Sequence, residues 1–209
     1  STLMRSSAAS DVYKRQIFDI VVSVIGLIIL SPFMLIIAAA IKIDDGGSII
    51  YKQKRLTING KEFFVYKFRS MIPNAEKNGV PQLATGSDSR ITRVGKFLRK
   101  CRLDELPQLF NIIKGDMSVV GPRPERPELT EKYEREMPEF KFRLKVKAGL
   151  TGYAQVTGVY DTTPYDKLKM DLMYIERYSM VMDLRIILMT IKTMISPGEM
   201  NSEADKEKY

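Results

Sequence analysis

The densest run of charged side chains in this 209-residue protein lies between residues 90 and 126. It contains two adjacent carboxylates, Asp104 and Glu105, at the start of a helix predicted over residues 105–114. Adjacent helical residues point apart, which makes them a poor pair for sharing one proton. At a helix entrance both can still reach one metal ion or one phosphate, and an ionised aspartate is itself a nucleophile. A solvated charged face is the alternative, but interspersed glycines and prolines indicate a shaped backbone.

A carboxylate that attacks a phosphoryl group must overcome charge repulsion. Two unit charges 4 Å apart repel by about 1 kcal/mol in water and about 4 kcal/mol at an effective dielectric of 20, and a diphosphate doubles this. Such a site therefore needs Mg²⁺ or arginine, which binds phosphate through two parallel hydrogen bonds. Arg123 stands between two prolines and is presented rigidly. The other candidate cations near the carboxylates are Lys67, Arg69, Arg90, Arg93 and Arg99.

Composition excludes several kinds of site. The chain has one cysteine, Cys101, and no histidine, which rules out a Cys/His zinc site, a disulfide framework and a histidine-based triad. With 33 Lys and Arg against 25 Asp and Glu, the net charge is +8. This balance predicts an anionic partner: nucleic acid, a phosphorylated substrate or an anionic membrane. Neither a GxGxxG nor a GxxxxGK[ST] motif occurs.

A long apolar segment predicts insertion into a membrane. Residues 20–41 carry no charge and as a helix would be roughly 33 Å long, close to the ~30 Å hydrocarbon core. Ser31 and Pro32 lie in its middle, where proline removes a backbone donor and is expected to kink or break the helix. The Ser31 hydroxyl can bond a carbonyl that this frees. Each half would then reach only the middle of the bilayer.

Two topologies fit this segment. Positive charges precede it at Lys14 and Arg15 and follow it at Lys42 and Lys52. Because positive charge favours the cytoplasmic side, the simpler interpretation is a re-entrant hairpin with both ends on that side. A kinked spanning helix is the alternative.

The remainder of the chain predicts a mixture of strands and helices. Strands are predicted over residues 48–53 and 62–68, joined by an Asn59-Gly60 hairpin. Helices are predicted over residues 95–102, 105–114, 128–136, 165–178 and 182–195. Residues 73–90 and 149–158 are predicted loops. The three prolines at 122, 124 and 127 argue against regular structure over residues 122–127.

The chain resembles the bacterial sugar transferase family, the monotopic phosphoglycosyl transferases. The resemblance covers roughly residues 14–195. The motifs that carry it are Leu103-Asp104-Glu105-Leu106-Pro107-Gln108, Ser31-Pro32, Tyr66-Lys67-Phe68-Arg69-Ser70-Met71, residues 88–95, residues 114–124, Gly149-Leu150-Thr151-Gly152 and Asp183-Leu184.

This resemblance implies an activity and a site. Asp104 would attack the sugar-side phosphorus of a UDP-sugar and release UMP, and polyprenyl phosphate (undecaprenyl phosphate) would then accept the sugar phosphate. Mg²⁺ would bind near Asp104, and Glu105 would serve as a base or as support. Substrate contacts are expected from Arg123, with Lys67, Arg69, Arg90, Arg99 and Gln108.

It also implies a location and a fold class. The expected fold is α+β: a re-entrant membrane helix-break-helix followed by a small mixed catalytic domain with amphipathic interfacial helices, on the cytoplasmic face of the bacterial inner membrane. The expected segments are a non-native or disordered leader (1–13), the membrane helix (14–43), the catalytic domain (44–195) and a mobile tail (196–209). Residues 73–90 and 153–165 are expected to recognise the sugar. Two copies of the protein can form a homodimer under this expectation.

Two other functions fit part of the pattern. A membrane-surface module that binds anionic lipid would explain the charge and the apolar segment, but not the two carboxylates among cations. A magnesium-dependent phosphodiesterase would use water in place of the lipid. Nucleic-acid binding is not expected, since the basic residues lack a recognised fold or aromatic platform.

Overall fold

A computed structural model of the protein describes residues 2–73, 75, 88–158 and 162–195. The α-helices are α1 (Thr2–Asp45), α2 (Arg93–Lys100), α3 (Gln108–Ile113), α4 (Pro127–Glu136), α5 (Tyr153–Thr157), α6 (Pro164–Glu176) and α7 (Met180–Ile195). The strands are β1 (Ile50–Leu56), β2 (Glu62–Phe68), β3 (Met117–Val120) and β4 (Ala148–Thr151). Short 3-10 helices cover Ile58–Gly60, Leu103–Glu105 and Pro138–Lys145. The prediction of a mixed fold with a long apolar N-terminal helix is confirmed.

Strands β1 and β2 form the predicted antiparallel hairpin, in which Ile50 pairs with Phe68 and Leu56 with Glu62. At its tip Asn59 and Gly60 have φ values of 57° and 72°, the left-handed conformation that an Asn-Gly turn requires. Side chains alternate along β2, so that Phe63 and Val65 enter the core while Phe64 faces outward. Lys67 lies on the same inward face as Val65, which matters for the site.

The free edge of β2 is closed by a side chain instead of a further strand. Asn111 of α3, which is fully buried, donates to the carbonyl of Phe64 at 2.7 Å and accepts from the amide of Tyr66 at 2.9 Å. Its amide thus satisfies one backbone donor and one backbone acceptor at this edge. This contact fixes α3, and the turn before it, against the hairpin.

We expect Asn111→Leu to lower the free energy of unfolding by about 2–4 kcal/mol, because the leucine would cover two backbone groups and bond neither of them. Chemical unfolding of the detergent-solubilised protein measures this. Phe110→Ala is the matched control, since Phe110 is the neighbouring residue of α3 but is 48% exposed. Equal stability of the Asn111 variant and wild type would contradict the role given to this amide.

The second strand pair was missed in the sequence. Strands β3 and β4 are parallel, with Met117 opposite Ala148 and Val120 opposite Thr151. A side chain at Gly121 or Gly149 would collide with the backbone of the other segment. The prediction of a loop over residues 149–158 is therefore wrong, because it begins with the end of β4 and contains α5. Four-residue strands that are buried throughout show no alternating pattern.

The helix predicted over residues 105–114 is also corrected. A 3-10 helix covers Leu103–Glu105, and α3 begins only at Gln108. Pro107 stands between them, where its missing amide hydrogen does not interrupt a helix. The carboxylates therefore lie in a tight turn before α3, and not at the entrance of a longer helix.

Helix α1 runs through Ser31 and Pro32 without interruption. The predicted break into two separate helices is therefore wrong at the level of secondary structure. Proline at position 32 frees the carbonyl of Ile28, four residues earlier, and the Ser31 hydroxyl donates to that carbonyl at 2.9 Å. The predicted local compensation by serine is confirmed, and it explains how the helix persists.

One face of α1 packs on the domain and the other is exposed. Gly26 approaches Leu109, while Ile37 and Ile41 are buried with Phe68 of β2. The opposite face exposes large apolar side chains, including Ile28 (70%), Leu35 (71%) and Ile36 (66%). The segment Val12–Asp45 is long and apolar enough to cross a membrane, and only 11% of its most apolar 18-residue stretch is buried. That low burial is unusual for the core helix of a soluble protein.

The structure describes the predicted segments 1–13 and 73–90 only in part, and the segment 196–209 not at all. Helix α1 begins at Thr2, so the described part of the 1–13 segment is helical. The 196–209 tail lies outside the described residues, as does most of the loop 73–90. Helices α4, α6 and α7 match the predicted helices to within two residues at each end.

Candidate active site

The two carboxylates are held in a turn with an unusual backbone. Arg102, which precedes the 3-10 helix Leu103–Glu105, has a φ of 55° in the left-handed region. This conformation is costly for a residue with a side chain and is typical of functional turns. It ends α2 abruptly and reverses the chain, which brings Asp104 and Glu105 towards the inner face of β2.

Glu105 is bound by two cations. The Lys67 ammonium donates to Glu105 Oε1 at 2.6 Å, and Arg123 Nη2 donates to the same oxygen at 2.9 Å. The Glu105 side chain is 13% exposed, so water screens these interactions weakly. Burial alone would raise the pKa of this carboxyl, but the charges of Arg123 and Lys67 hold it well below its usual range. Glu105 is therefore ionised and a weak base.

Asp104 is in the opposite situation. Within the described part of the chain, its carboxylate has no hydrogen-bond donor and no ion-pair partner. Burial, together with the neighbouring charge of Glu105, raises its pKa, while Lys67, Arg99 and Arg123 act against this shift. The result is a partly buried carboxylate whose lone pairs are not used by the protein. It has cations nearby, but none is bonded to it.

The charge of Lys67 acts on both carboxylates, although its ammonium is bonded only to Glu105. Lys67 extends from the inward face of β2, and burial and the charge of Arg123 lower its pKa, whereas Glu105 and Asp104 raise it. Its contact with Glu105 fixes the ammonium between the hairpin and the 3-10 turn. Lys67 is thus bonded to Glu105, and its charge also acts on Asp104 without a bond.

Arg123 is placed by a loop whose backbone is held at every step. Four consecutive carbonyls accept hydrogen bonds: Pro122 from the amide of Gly149, Arg123 from the Arg143 guanidinium, Pro124 from the Arg55 guanidinium, and Glu125 from the amide of Leu56. Two prolines further restrict the backbone. The loop is therefore rigid, although the Arg123 side chain itself is 47% exposed.

The four other residues predicted for the site lie on different elements of the fold. Arg99 is on the last turn of α2 and lowers the pKa of Asp104. Arg69 forms an ion pair with Asp45 at the end of α1. Arg90 binds the Asp88 carboxylate at 2.6 Å and lowers its pKa to about 2. Gln108 is buried at the start of α3. The structure thus brings together Asp104, Glu105, Lys67 and Arg123.

A magnesium ion is compatible with this arrangement. Among the described residues there is no group of three or more metal-ligating side chains. Mg²⁺, however, is commonly held by one or two carboxylates together with waters and substrate phosphates. Of the two carboxylates, Asp104 binds no cation in the part of the chain that the structure describes, whereas Glu105 already binds two.

Sequence reasoning missed three residues that shape the site. Arg55, Arg143 and Asp171 are separated from Arg123 by many residues, and they act on its loop through contacts that no local pattern shows. Asp171 lies in the helix predicted over residues 165–178, whereas Arg55 and Arg143 lie outside the predicted elements, so no pattern marked all three. A charge that is buried requires a partner.

Comparison with known proteins identifies the family. The model of the family described as bacterial sugar transferase matches residues 10–197, and the chain belongs to this family. A relative from Aeromonas hydrophila, named UDP-N-acetylgalactosamine-undecaprenyl-phosphate N-acetylgalactosaminephosphotransferase, is 41% identical over 181 residues, which are 85% of this chain and 43% of the relative. A relative from Klebsiella pneumoniae, named UDP-glucose:undecaprenyl-phosphate glucose-1-phosphate transferase, is 44% identical over 185 residues, which are 86% of this chain and 39% of the relative.

The relatives differ in length. The chain spans about two fifths of the two proteins just named. The exopolysaccharide production protein PSS of Rhizobium leguminosarum bv. phaseoli is 39% identical over 198 residues, which are 90% of this chain and 98% of that protein. The stretch that the family model matches, residues 10–197, contains the whole of the site described above.

Proposed function

We propose that this protein transfers a sugar 1-phosphate from a UDP-sugar to undecaprenyl phosphate through a covalent intermediate on Asp104. The names of the relatives support the two substrates. The observation that supports the mechanism is the asymmetry of the two carboxylates, since among the described residues two cations bind Glu105 and none binds Asp104. Two bonded cations draw negative charge away from the Glu105 carboxylate and lower its pKa, whereas Asp104 keeps its charge for attack on phosphorus.

In the first step, an Asp104 carboxylate oxygen forms a bond to the sugar-side phosphorus of the UDP-sugar. The bond between that phosphorus and the bridging oxygen breaks, and UMP leaves with the electron pair. Lys67 and Arg123, which already neutralise Glu105, reduce the repulsion between the approaching charges. Arg123 is 47% exposed and can extend to a phosphate oxygen.

In the second step, an oxygen of undecaprenyl phosphate attacks the same phosphorus. The bond to Asp104 breaks, the carboxylate is restored, and the product is an undecaprenyl diphosphate sugar. A phosphate monoester has a second pKa of about 6 and is mostly dianionic at pH 7, so this step needs no base. A positioning role for Glu105 fits its lowered pKa better than a role as base.

Magnesium would be held by Asp104 together with substrate phosphates. When bound, it supplies positive charge at the diphosphate and stabilises the leaving UMP. The residues of the chain perform the remaining work: Lys67 and Arg123 fix Glu105, and the rigid turn at Arg102 presents Asp104.

The experiment that tests this function follows UMP. The purified protein is incubated with a panel of UDP-sugars, with and without undecaprenyl phosphate. We expect sustained UMP release only with the lipid acceptor, because Asp104 otherwise remains occupied. Sustained release at the same rate without lipid would identify a phosphodiesterase that uses water, and membrane binding without any UMP release would identify a lipid-binding module.

We also propose that α1, while staying helical, bends at Ser31 and Pro32 in the membrane, so that it enters and leaves on the same face, the cytoplasmic one, with these residues at its deepest point. Arg15 pairs with Asp183 of α7 at 2.9 Å, and Asp45 pairs with Arg69. These positions are 30 residues apart, about 45 Å along a straight helix, yet both contact the same domain. A helix that crossed the bilayer would separate them.

Cysteine labelling tests this topology. In a Cys101→Ser background, we expect Val12→Cys and Ile43→Cys to be protected from a membrane-impermeant maleimide in intact spheroplasts and labelled after permeabilisation. Both positions are exposed on the protein, at 59% and 85%. The native Cys101, in the otherwise unchanged chain, marks the side of the catalytic domain. Labelling of one end only in intact spheroplasts would show a spanning helix.

A further inference from the structure

We propose that Arg143 and Asp171 form a positioning pair that fixes the backbone of Arg123 and thereby aims its guanidinium at Glu105 and the substrate phosphate. This inference deepens the function proposed above and rests on it. Arg143 Nε donates to Asp171 Oδ2 at 2.7 Å, while Arg143 Nη2 donates to the Arg123 carbonyl at 3.0 Å. One guanidinium therefore joins α6 to the loop that carries Arg123.

The pair is placed where charges are costly. Arg143 is 8% exposed and Asp171 is 2% exposed. Buried ion pairs contribute little net stability, and apolar side chains of similar size often replace them without loss. A more specific benefit is geometric, because the planar guanidinium can bond two acceptors in fixed directions, which a lysine ammonium cannot reproduce. The ring of Phe140, 4.6 Å from the guanidinium carbon, supports it from one side.

The bonded carbonyl controls the conformation of Arg123. Prolines at positions 122 and 124 fix their own φ angles, and Pro124 restricts Arg123 to an extended conformation. The remaining freedom is a rotation of the peptide group between Arg123 and Pro124, and the Arg143 contact removes it. Because the Arg123 side chain is half exposed, its reach to Glu105 depends on where its backbone is held.

Asp171 carries this constraint back into the domain. It lies on α6, which packs against α5 and the 3-10 helix Pro138–Lys145 that contains Arg143. Its carboxylate accepts a hydrogen bond from Nε of Arg143, so that Nη2 of Arg143 is left to donate to the Arg123 carbonyl. Asp171 therefore acts on Arg123 through Arg143, and neither residue needs to touch the substrate.

A double-mutant cycle tests the proposal. The kcat/KM for UMP release is compared for four proteins: wild type, Arg143→Lys, Arg123→Ala and the double variant. We expect Arg143→Lys to reduce kcat/KM by about 10²-fold in the wild-type chain, as a misplaced catalytic group does. In the Arg123→Ala background the same change should cost less than about threefold, because nothing remains to be positioned. Asp171→Asn should behave like Arg143→Lys, and Arg135→Lys on the exposed face of α4 is the matched control.

Two results of this cycle would overturn the positioning role of Arg143 and Asp171. Loss of the same size in both backgrounds would overturn the proposal, since a merely structural role lowers activity regardless of Arg123. Full activity of Arg143→Lys in the wild-type chain would overturn it as well. Failure of the proposed function looks different: wild type would then release no UMP, or Asp104→Asn would release as much as wild type, whatever the cycle shows. Thermal unfolding of each variant confirms that the chains compared are folded.

Discussion

Asp104→Asn should abolish UMP release, by about 10⁴-fold or more, while the protein stays folded and bound to membranes. The amide has nearly the shape of the carboxylate but lacks the charge and nucleophilicity that bond formation to phosphorus requires. Stability should change little, because Asp104 has no hydrogen-bond or ion-pair partner among the described residues. Removal of its charge even relieves repulsion with Glu105.

The matched control is Asp116→Asn. Asp116 is also a half-buried aspartate, but it follows α3 and contacts Lys61 at 3.5 Å, outside the site. Its variant should retain activity. UMP release by Asp104→Asn at more than about a hundredth of the wild-type rate would contradict the assignment of Asp104 as nucleophile.

Glu105→Gln should damage both stability and activity, because it leaves the positive charges of Lys67 and Arg123 close together without their shared partner. Lys67 is 19% exposed, and loss of a partner from a buried pair costs about 3 kcal/mol. We expect kcat/KM to fall about 10²-fold through misplacement of both cations. The lowered pKa of Glu105 means that its charge stabilises the folded state above the ordinary carboxyl pKa of about 4.3. That contribution is lost only as the pH falls through the lower folded value, so the destabilisation should be equal at pH 6 and pH 8.

A second substitution separates these two effects. In Glu105→Gln/Lys67→Met the uncompensated ammonium is absent, and we expect much of the lost stability to return while activity stays low. Unfolding and UMP release measured on the same preparations give the comparison. Recovery of activity together with stability would show that the site contributes to folding alone and would refute its role in phosphate chemistry.

The sequence allowed local features to be predicted where a single interaction dominates. The Asn59-Gly60 turn, strand β2 and helices α4, α6 and α7 follow from backbone preference and apolar periodicity, which act over a few residues. The adjacent carboxylates and the proline-flanked Arg123 were also recognisable as candidates. The roles proposed for the two carboxylates differ because, among the described residues, Glu105 and not Asp104 binds the nearby cations.

Features that depend on distant contacts were not predicted. Strands β3 and β4 are each four residues long and exist because they pair with each other. The edge of β2 is closed by Asn111, 45 residues beyond Tyr66, and the loop of Arg123 is held by Arg55, Arg143 and a glycine. Helix α1 persists through Pro32 because one serine hydroxyl replaces one backbone donor. Each is a pairing that spacing alone does not specify.

The most direct test is to measure the mass of the peptide that contains Asp104 after the protein has reacted with a UDP-sugar. Wild-type protein is mixed with a UDP-sugar without lipid, quenched in acid and digested, and the peptide that contains Asp104 is examined. The mechanism predicts a mass increase of one sugar phosphate on that peptide, its absence in Asp104→Asn, and its disappearance when undecaprenyl phosphate is added before quenching. Formation of UMP and lipid product with an unmodified Asp104 peptide throughout, or an adduct on another residue, would contradict it.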